Sequence, residues 1–332
     1  MSATVTRSAG HAVDDTAEAG RPAWRRALAV FAAQGFIVIF ALWAIYLSIA
    51  TEQFLTKENL LLVARQASIF AIVGIGTTLV VLLGELDISF GSIVSLAGCV
   101  GAAWIVGGHA PIVGFAVAIV IGVVIGAVNG LLVTYGRIAS VVATLGTLGI
   151  AAGLAQMYTS GSSIFGGRLS LIYSLAQGTI IGVPTLVVIA AGLYALFSFI
   201  ASRTRFGMHI YAVGDSEVAA FRTGVRVHMV KLTVFVIAGA LAGFAAMLQV
   251  ARVGRAGSSI GTDFLFPVLT AVILGGVSIH GGKGRLVNTA IASVFLASIT
   301  NGLILLGIND NMQQVVQGAV LIGAVSLDRL RD

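Results

Sequence analysis

Two carboxylates, Glu85 and Asp87, stand two residues apart between apolar segments and are the residues best suited to chemistry inside a membrane. A carboxylate at the centre of a bilayer costs about 2.5–3.5 kcal/mol on insertion scales, so it normally faces a cavity or a partner. Such a pair can relay protons in a carrier or line the pathway of a solute. Asp87 or the neighbouring Ser89 can also cap the helix predicted to begin at Gly91.

The proton-relay role needs a basic or histidine partner, and none lies near these carboxylates in the sequence. A proton-driven secondary transporter is therefore kept only as an alternative. Asn129 and Asn301 lie inside apolar segments, where each amide needs an interhelical hydrogen bond, so structural and pathway roles both stay open. The candidate residues of a translocation pathway are Asp87, Ser89, Asn129, Ser278 and Asn301.

Other motifs for covalent, metal or nucleotide chemistry are missing from the sequence. His280 is a lone histidine, which is far more often a loop residue than a ligand, so we expect no metal site. The glycine-rich run 281–285 does not fit G-x-x-x-x-G-K-[ST], the phosphate-binding pattern, and no other segment does. We therefore expect no catalytic residue and no cofactor, and any ATP site must lie on another chain.

The longest polar loop, at about 203–230, contains a segment with the marks of a short helix. Its residues are Asp215, Ser216, Glu217, Val218, Ala219, Ala220, Phe221 and, three positions later, Gly224. An aspartate or serine at the start can accept hydrogen bonds from free N–H groups, and a glycine at the end suits a left-handed cap. Val218 and Phe221 share one face. Because so short a helix is marginal alone, it needs a surface to lie against, either the bilayer or another protein.

The elements that position these residues are apolar helices. The chain is 58% hydrophobic and 10% charged, whereas soluble domains carry roughly 25% charge. Apolar segments fall at 27–50, 62–83, 91–107, 111–134, 138–158, 180–202, 230–251, 264–279, 286–306 and 311–328. This pattern predicts an all-α integral membrane protein of about ten transmembrane helices, some of them short or discontinuous, embedded in membrane lipid. The spans leave no room for a separate catalytic domain.

Charge distribution orients the chain. Residues 1–23 are polar and predicted to be a disordered tail, and residues 24–332 form one transmembrane domain. With ten spans, 14 of the 19 lysine and arginine residues fall on the side that holds both termini, which the positive-inside rule makes the cytoplasm. The net charge of +6 is thereby explained without a nucleic-acid partner.

Two pairs of short segments are compatible with an internal duplication. The run 83–88 parallels 274–279 at an offset of 191 residues, and 129–132 parallels 301–304 at an offset of 172. Repeated halves are common in transporters, and short glycine-interrupted segments at matching places point to the pathway.

Several motifs in order resemble those of permease subunits of bacterial ABC importers of the ribose/xylose/arabinose class. The resemblance covers roughly residues 50–330 and rests on Phe54-Leu55-Thr56, Gly84-Glu85-Leu86-Asp87-Ile88-Ser89-Phe90-Gly91-Ser92, Thr204-Arg205-Phe206-Gly207, Ile210-Tyr211-Ala212-Val213-Gly214, Thr223-Gly224-Val225, Ala271-Val272-Ile273-Leu274-Gly275-Gly276-Val277-Ser278, Gly281-Gly282-Lys283-Gly284-Arg285 and Asn301-Gly302-Leu303.

The resemblance implies that the segment from Asp215 to Gly224 is a coupling helix that docks in a groove of an ABC ATPase subunit. It also implies a periplasmic substrate-binding protein and a second permease copy or a homologous permease as partners. The chain itself is then not an enzyme. Its function would be translocation of a monosaccharide across the bacterial inner membrane.

Three rival functions share much of this sequence pattern. A related ABC permease for a nucleoside, an autoinducer or a branched-chain amino acid would have the same body. A proton-driven carrier would need no ATPase, and a channel would need no binding protein. ATP dependence of uptake separates the ABC permeases from the other two.

Overall fold

The computed structural model describes residues 38–328. The predicted tail at 1–23, the first part of the first apolar segment and the last four residues lie outside the described residues. The predictions about the tail and the two termini therefore remain predictions.

Nearly all regular structure in the described range is helical. The helices are α1 (Val38–Ala50), α2 (Lys57–Leu82), α3 (Phe90–Val106), α4 (Pro111–Thr134), α5 (Ser140–Thr159), α6 (Ser170–Gln177), α7 (Thr185–Arg203), α8 (Arg205–Asp215), α9 (Glu217–Arg222), α10 (Val227–Val253), α11 (Leu265–Leu274), α12 (Leu286–Leu305) and α13 (Asp310–Asp328).

Six of these helices, α2, α4, α5, α7, α10 and α12, are long and apolar enough to cross a membrane. The helices α1 and α3 and the segment Thr262–Leu274 are apolar but shorter. The all-α membrane fold is therefore confirmed, whereas the count of ten spans is not established. Most of α2 and α10 is buried within the protein, while α4 and α7 leave most of their apolar surface free for lipid.

Glycines bring α4 and α10 into direct backbone contact. A Cβ atom on Gly122 would lie 2.0 Å from the carbonyl oxygen of Gly239, and one on Gly126 would lie 2.3 Å from that of Phe235. Gly243 approaches the carbonyl oxygen of Ala118 in the same way. Each helix thus presents two glycines four residues apart, the spacing that allows close helix packing in membranes.

The ends of α2 and α11 have the same hydrogen-bond pattern. At the end of α2, the N–H of Gly84 donates to the carbonyl three residues back and that of Glu85 to the carbonyl five residues back. Gly276 and Val277 repeat both bonds at the end of α11, and both glycines have left-handed φ angles of 75° and 79°. The matching positions are 192 residues apart, one more than the offset of the sequence runs.

The β-type backbone pairings of the described residues lie at the end of the protein opposite α8 and α9. Strands β1 (Thr179–Ile180) and β2 (Val183–Pro184) form an antiparallel hairpin whose two turn residues both have positive φ angles. An isolated bridge pairs Ile164 with Ala256.

Candidate functional site

The polar loop that contains the predicted short helix folds as two consecutive helices. Asp215 is the last residue of α8 and does not cap the second helix. Ser216 takes that position, and its Oγ accepts a hydrogen bond from the N–H of Ala219 at 3.2 Å. Gly224 follows α9 with a left-handed φ of 87°. The prediction of a short capped helix is confirmed, with Ser216 as its cap, but α9 is not isolated because α8 precedes it directly.

The faces of α9 differ in exposure. Phe221 is 70% exposed and Val218 is 61% exposed, so the apolar pair predicted to share a face lies uncovered. Ala220 is only 3% exposed and belongs to the protein's own core. The exposed pair is therefore the available contact surface of α9, whereas Ala220 anchors the helix to the rest of the chain.

A three-member ion cluster joins α9 to the start of α10 and to the loop after α2. The Nζ of Lys231 donates to Oε1 of Glu85 at 2.6 Å, and it also pairs with Oε1 of Glu217. The side chains of Lys231 and Glu85 are 11% and 15% exposed. This partner of Glu85 could not be predicted from the sequence, because 146 residues separate the two.

Close backbone packing locks the end of α8 against two other segments. A Cβ atom on Gly214 would lie 1.8 Å from the carbonyl oxygen of Leu82, at the end of α2, and 2.5 Å from the amide nitrogen of Gly282. The N–H of Gly282 in turn donates to the carbonyl of Leu82 at 2.9 Å. The end of α8 is therefore in direct backbone contact with the end of α2 and with the α11–α12 loop.

Tyr211 adds a side-chain link between α8 and the same glycine-rich run. Its hydroxyl donates to the carbonyl of Gly284 at 2.9 Å. Burial raises the pKa of Tyr211, and the nearby Arg285 offsets part of that rise. The hydroxyl consequently stays protonated and able to donate at neutral pH.

A buried chain of hydrogen bonds connects four polar side chains behind this junction. Thr147 donates to Oδ1 of Asn129 at 2.7 Å, and Nδ2 of Asn129 donates to Oγ of Ser89 at 2.9 Å. Ser89 donates through Oγ to Oδ1 of Asp87 at 2.6 Å, and its backbone N–H donates to the same oxygen at 2.8 Å. All four residues are buried. The chain fixes α3, α4 and α5 together through groups that satisfy one another.

The predicted cap of α3 differs from the observed one. Ser89 occupies the cap position of a helix that begins at Phe90, one residue before the predicted start, but its side chain makes no capping bond. Asp87 instead accepts the N–H of Ser89 in a tight turn, and the hydroxyl of Ser89 accepts a hydrogen bond from Asn129.

The remaining candidate pathway residues lie elsewhere. Asn301 exchanges two amide hydrogen bonds with Asn59, at 2.8 and 3.0 Å, which joins α12 to α2. Ser278 lies in the α11–α12 loop, where its N–H donates to the carbonyl of Lys283. Hydrogen bonds join only three of the five candidates, Asp87, Ser89 and Asn129, whereas Asn301 and Ser278 bond to other residues. Among residues 38–328, no three metal-ligating side chains gather.

Comparisons with known proteins identify the family. The family described as the permease component of branched-chain amino acid transport systems matches residues 59–325. The ribose import permease protein RbsC of Escherichia coli (strain K12) is 36% identical over 299 residues, covering 89% of this chain and 92% of that protein.

Two further relatives have similar coverage. The D-allose transport system permease protein AlsC of Escherichia coli (strain K12) is 32% identical, over 89% of this chain and 90% of that protein. The L-arabinose ABC transporter permease protein AraH of Azospirillum brasilense is 28% identical, over 90% and 87%. No solved structure matches the chain. The extent of the family match and the identity to these relatives establish that the chain belongs to this family of transport-system permease components.

Proposed function

We propose that the chain is the membrane-spanning permease of an ATP-binding-cassette importer and that it translocates a monosaccharide across the bacterial inner membrane. The observation that carries this proposal is the similarity to permeases named for ribose, D-allose and L-arabinose over about nine-tenths of the chain. A neutral sugar needs no fixed high charge on its path, which suits a membrane region with few charged side chains.

The helix α9 is the coupling helix in this proposal. Its support is the combination of an uncovered apolar pair, Val218 and Phe221, with firm attachment on the other side through Ala220. A docking helix needs both properties, because it must bind a partner and also pass on the partner's movement. The ATPase subunit that receives it would hydrolyse ATP, and this chain would not.

The ion cluster and the glycine contacts give the coupling movement a physical route. A displacement of α9 would pull Lys231 through Glu217 and so act on α10 and on Glu85. The end of α8 would act at the same time on Leu82 and Gly282. Both routes end in the loops that precede α3 and α12. When ATP brings two ATPase subunits together, the movement would therefore shift the starts of these helices and change the side of the membrane to which the pathway opens, which is alternating access.

The rest of the assembly follows from the same proposal. We infer ten spans, both termini in the cytoplasm, a periplasmic binding protein on the far side, and a pathway between this chain and a second permease copy or homologous permease. Reporter fusions at Asp332 would then give a cytoplasmic signal. A periplasmic signal there would contradict an even number of spans.

The central experiment is uptake into proteoliposomes that contain the permease and its ATPase, with the binding protein supplied outside. Uptake of labelled sugar that requires ATP is the expected result. Uptake that follows an imposed pH gradient without ATP would identify a proton-driven carrier instead. Uptake without ATP or gradient would identify a channel.

A second candidate function is import of a different solute by the same mechanism. The family description names branched-chain amino acids, and a 30% identical relative is the autoinducer 2 import system permease protein LsrC of Salmonella typhi. A solute panel with sugars, a nucleoside, leucine and autoinducer 2 in the same assay separates these possibilities, because each would compete only with its own class.

A further inference from the structure

A small polar cavity lies at the end of α10 that is remote from the ion cluster. Its volume is about 290 Å³, near the lower end of ligand pockets, which start at about 300 Å³. The segment between α10 and α11, the end of α10 and the turn after α5 surround it. Its polar lining includes Ser162, Gln249, Arg252, Ser258, Ser259 and Asp263.

The irregular wall of this cavity is firmly held. Ala256 exchanges two backbone hydrogen bonds with Ile164, at 2.8 and 3.1 Å. Further along, the N–H of Gly261 donates to Oγ of Ser95 at 3.0 Å, and a Cβ atom on Gly261 would lie 2.0 Å from the carbonyl oxygen of Gly91. Non-helical backbone in a membrane protein is tolerated where it lines a cavity or is buried in protein, and this segment does both.

The cavity is lined by both hydrogen-bond donors and acceptors, and only some of them bond to other protein groups. Arg252 donates through Nε to Oε1 of Gln249 at 3.1 Å, and Ser258 donates to Gln156 at 2.6 Å. Within residues 38–328, no protein acceptor takes the terminal nitrogens of Arg252 or the amide N–H groups of Gln249. The carboxylate of Asp263 likewise accepts no hydrogen bond there.

This arrangement matches the chemistry of a neutral polyol. Each hydroxyl of a sugar both donates and accepts, so it can bond to an arginine or amide donor and to a carboxylate acceptor in the same site. The lining also contains Arg255, which donates through Nη1 to Ser163, and a second carboxylate, Asp310, lies near Asp263. Two cations and two carboxylates leave the site close to neutral, which makes a neutral ligand a better match than an anion. A larger cavity of about 540 Å³ near Trp43 has an almost entirely apolar lining and offers no such contacts.

We propose that the cavity is a subsite for one neutral polyhydroxylated solute of monosaccharide size, on the side where the solute enters. This inference rests on the proposed function. The solute would first contact the permease in this cavity and would be bound there by Gln249, Arg252 and Asp263.

Cysteine protection tests occupancy directly. Ser259 is exposed at the cavity, and the natural Cys99 is buried, so Ser259→Cys in a Cys99→Ala background supplies one accessible thiol. The permease–ATPase complex, without binding protein, is labelled with a maleimide in a concentration series of D-ribose, D-allose or L-arabinose. The matched control is Ser202→Cys, an exposed serine that lines a cavity at the opposite end.

We expect the imported sugar to slow labelling at position 259 severalfold and saturably, with no effect at position 202. Inorganic phosphate should give no protection. Equal protection by phosphate would identify an anion site and overturn the proposal. The proposal would also be overturned if no sugar slowed the labelling. It would likewise be overturned if only added binding protein slowed the labelling, because the cavity would then be a contact for that protein.

Transport of a second variant gives an independent measurement. Gln249→Leu removes two donors and the acceptor of Arg252, and we expect ATP-dependent uptake to fall about tenfold, which corresponds to about 1.4 kcal/mol. Gln317→Leu is the control, because Gln317 is equally buried but bonds to Thr300, away from the cavity. Unchanged uptake by Gln249→Leu would contradict the subsite. If the wild type imports no sugar with ATP, the proposed function itself fails, so the two failures are distinguishable.

Discussion

The two ends of α10 use their charged groups in opposite ways. Near the start of the helix, Lys231 is bonded to Glu85 and paired with Glu217, so the cation is enclosed by two carboxylates. Near the end, Arg252 bonds to the protein through Nε alone, and its other donors line the polar cavity. The two residues are 21 positions apart, about 30 Å along an α-helix.

The difference indicates what each end is built to do. A cluster whose charges are paired within the chain holds three segments in fixed relation and suits the transmission of force. A cavity whose donors are left free suits a ligand that arrives and leaves. One helix carries both ends, and glycines hold its middle in backbone contact with α4, so a rigid-body movement of α10 would carry the ion cluster and the cavity lining together.

We expect the largest effect from separating α10 from α4 at their glycine contacts, because the ion cluster and the polar cavity are then both disrupted. A Cβ atom on Gly239 would lie 2.1 Å from the carbonyl oxygen of Gly122, and backbone cannot yield as a side chain can. We expect Gly239→Leu to force α4 and α10 apart and to abolish recovery of folded permease, measured as monodisperse protein in detergent. Gly149→Ala on α5 is the control, since no atom lies within 4 Å of its added Cβ. Equal recovery of both variants would show that the close contact is dispensable.

The next largest effect is expected from breaking the ion cluster at the start of α10. Lys231→Met leaves Glu85 and Glu217 without their shared cation, and breaking a buried pair costs about 3 kcal/mol or more. We expect a lower unfolding temperature and loss of ATP-driven uptake. The double variant Lys231→Met with Glu85→Gln should regain much of the stability, because the buried carboxylate is then neutral. Failure of the double variant to recover any stability would mean that packing of the lysine, and not its charge, matters.

Patterns of neighbouring residues predicted the local features near the start of α10, whereas contacts between residues far apart in the sequence could not be predicted. The cap at Ser216 and the left-handed Gly224 follow from residue types within ten positions, and both are confirmed. Glu85 is an evident outlier in an apolar region, but its partner Lys231 is 146 residues away, and the pairing depends on how two helices meet. The best available signal was Lys231 itself, a charge at the start of an apolar helix.

Asn129 and Asn301 also show that a need for a partner can be predicted from the sequence although the partner cannot. The need of Asn129 and Asn301 for interhelical hydrogen bonds could be predicted from their apolar surroundings, and both make them. Their partners, Ser89 and Asn59, could not be predicted, because each belongs to a different helix or loop. The polar cavity was missed for a similar reason: its lining comes from three segments, two of them loops without a motif.

A smaller effect is expected where α9 meets its partner. Truncating a buried aromatic anchor at an interface commonly costs about 2 kcal/mol, roughly a thirtyfold loss of affinity. We expect Phe221→Ala to weaken binding of the ATPase subunit by about this amount, measured by titration of the purified permease. Phe165→Ala is the control, because Phe165 is equally uncovered but lies in the turn region of the opposite end. Wild-type affinity in Phe221→Ala would remove α9 as the docking element.

The smallest expected effect separates the two carboxylates of the ion cluster. Glu217 is 49% exposed and Glu85 is 15% exposed, although both pair with Lys231. An exposed ion pair contributes at most about 1 kcal/mol because water and salt screen it. We therefore expect Glu217→Gln to leave the unfolding temperature nearly unchanged and Glu85→Gln to lower it, in thermal unfolding at low and high salt. Because Glu217 joins α9 to α10 in the proposed route of coupling, its variant should still reduce the uptake obtained per ATP hydrolysed. Unaltered coupling in Glu217→Gln would mean that movement of α9 reaches the spans through the glycine contacts of α8 alone.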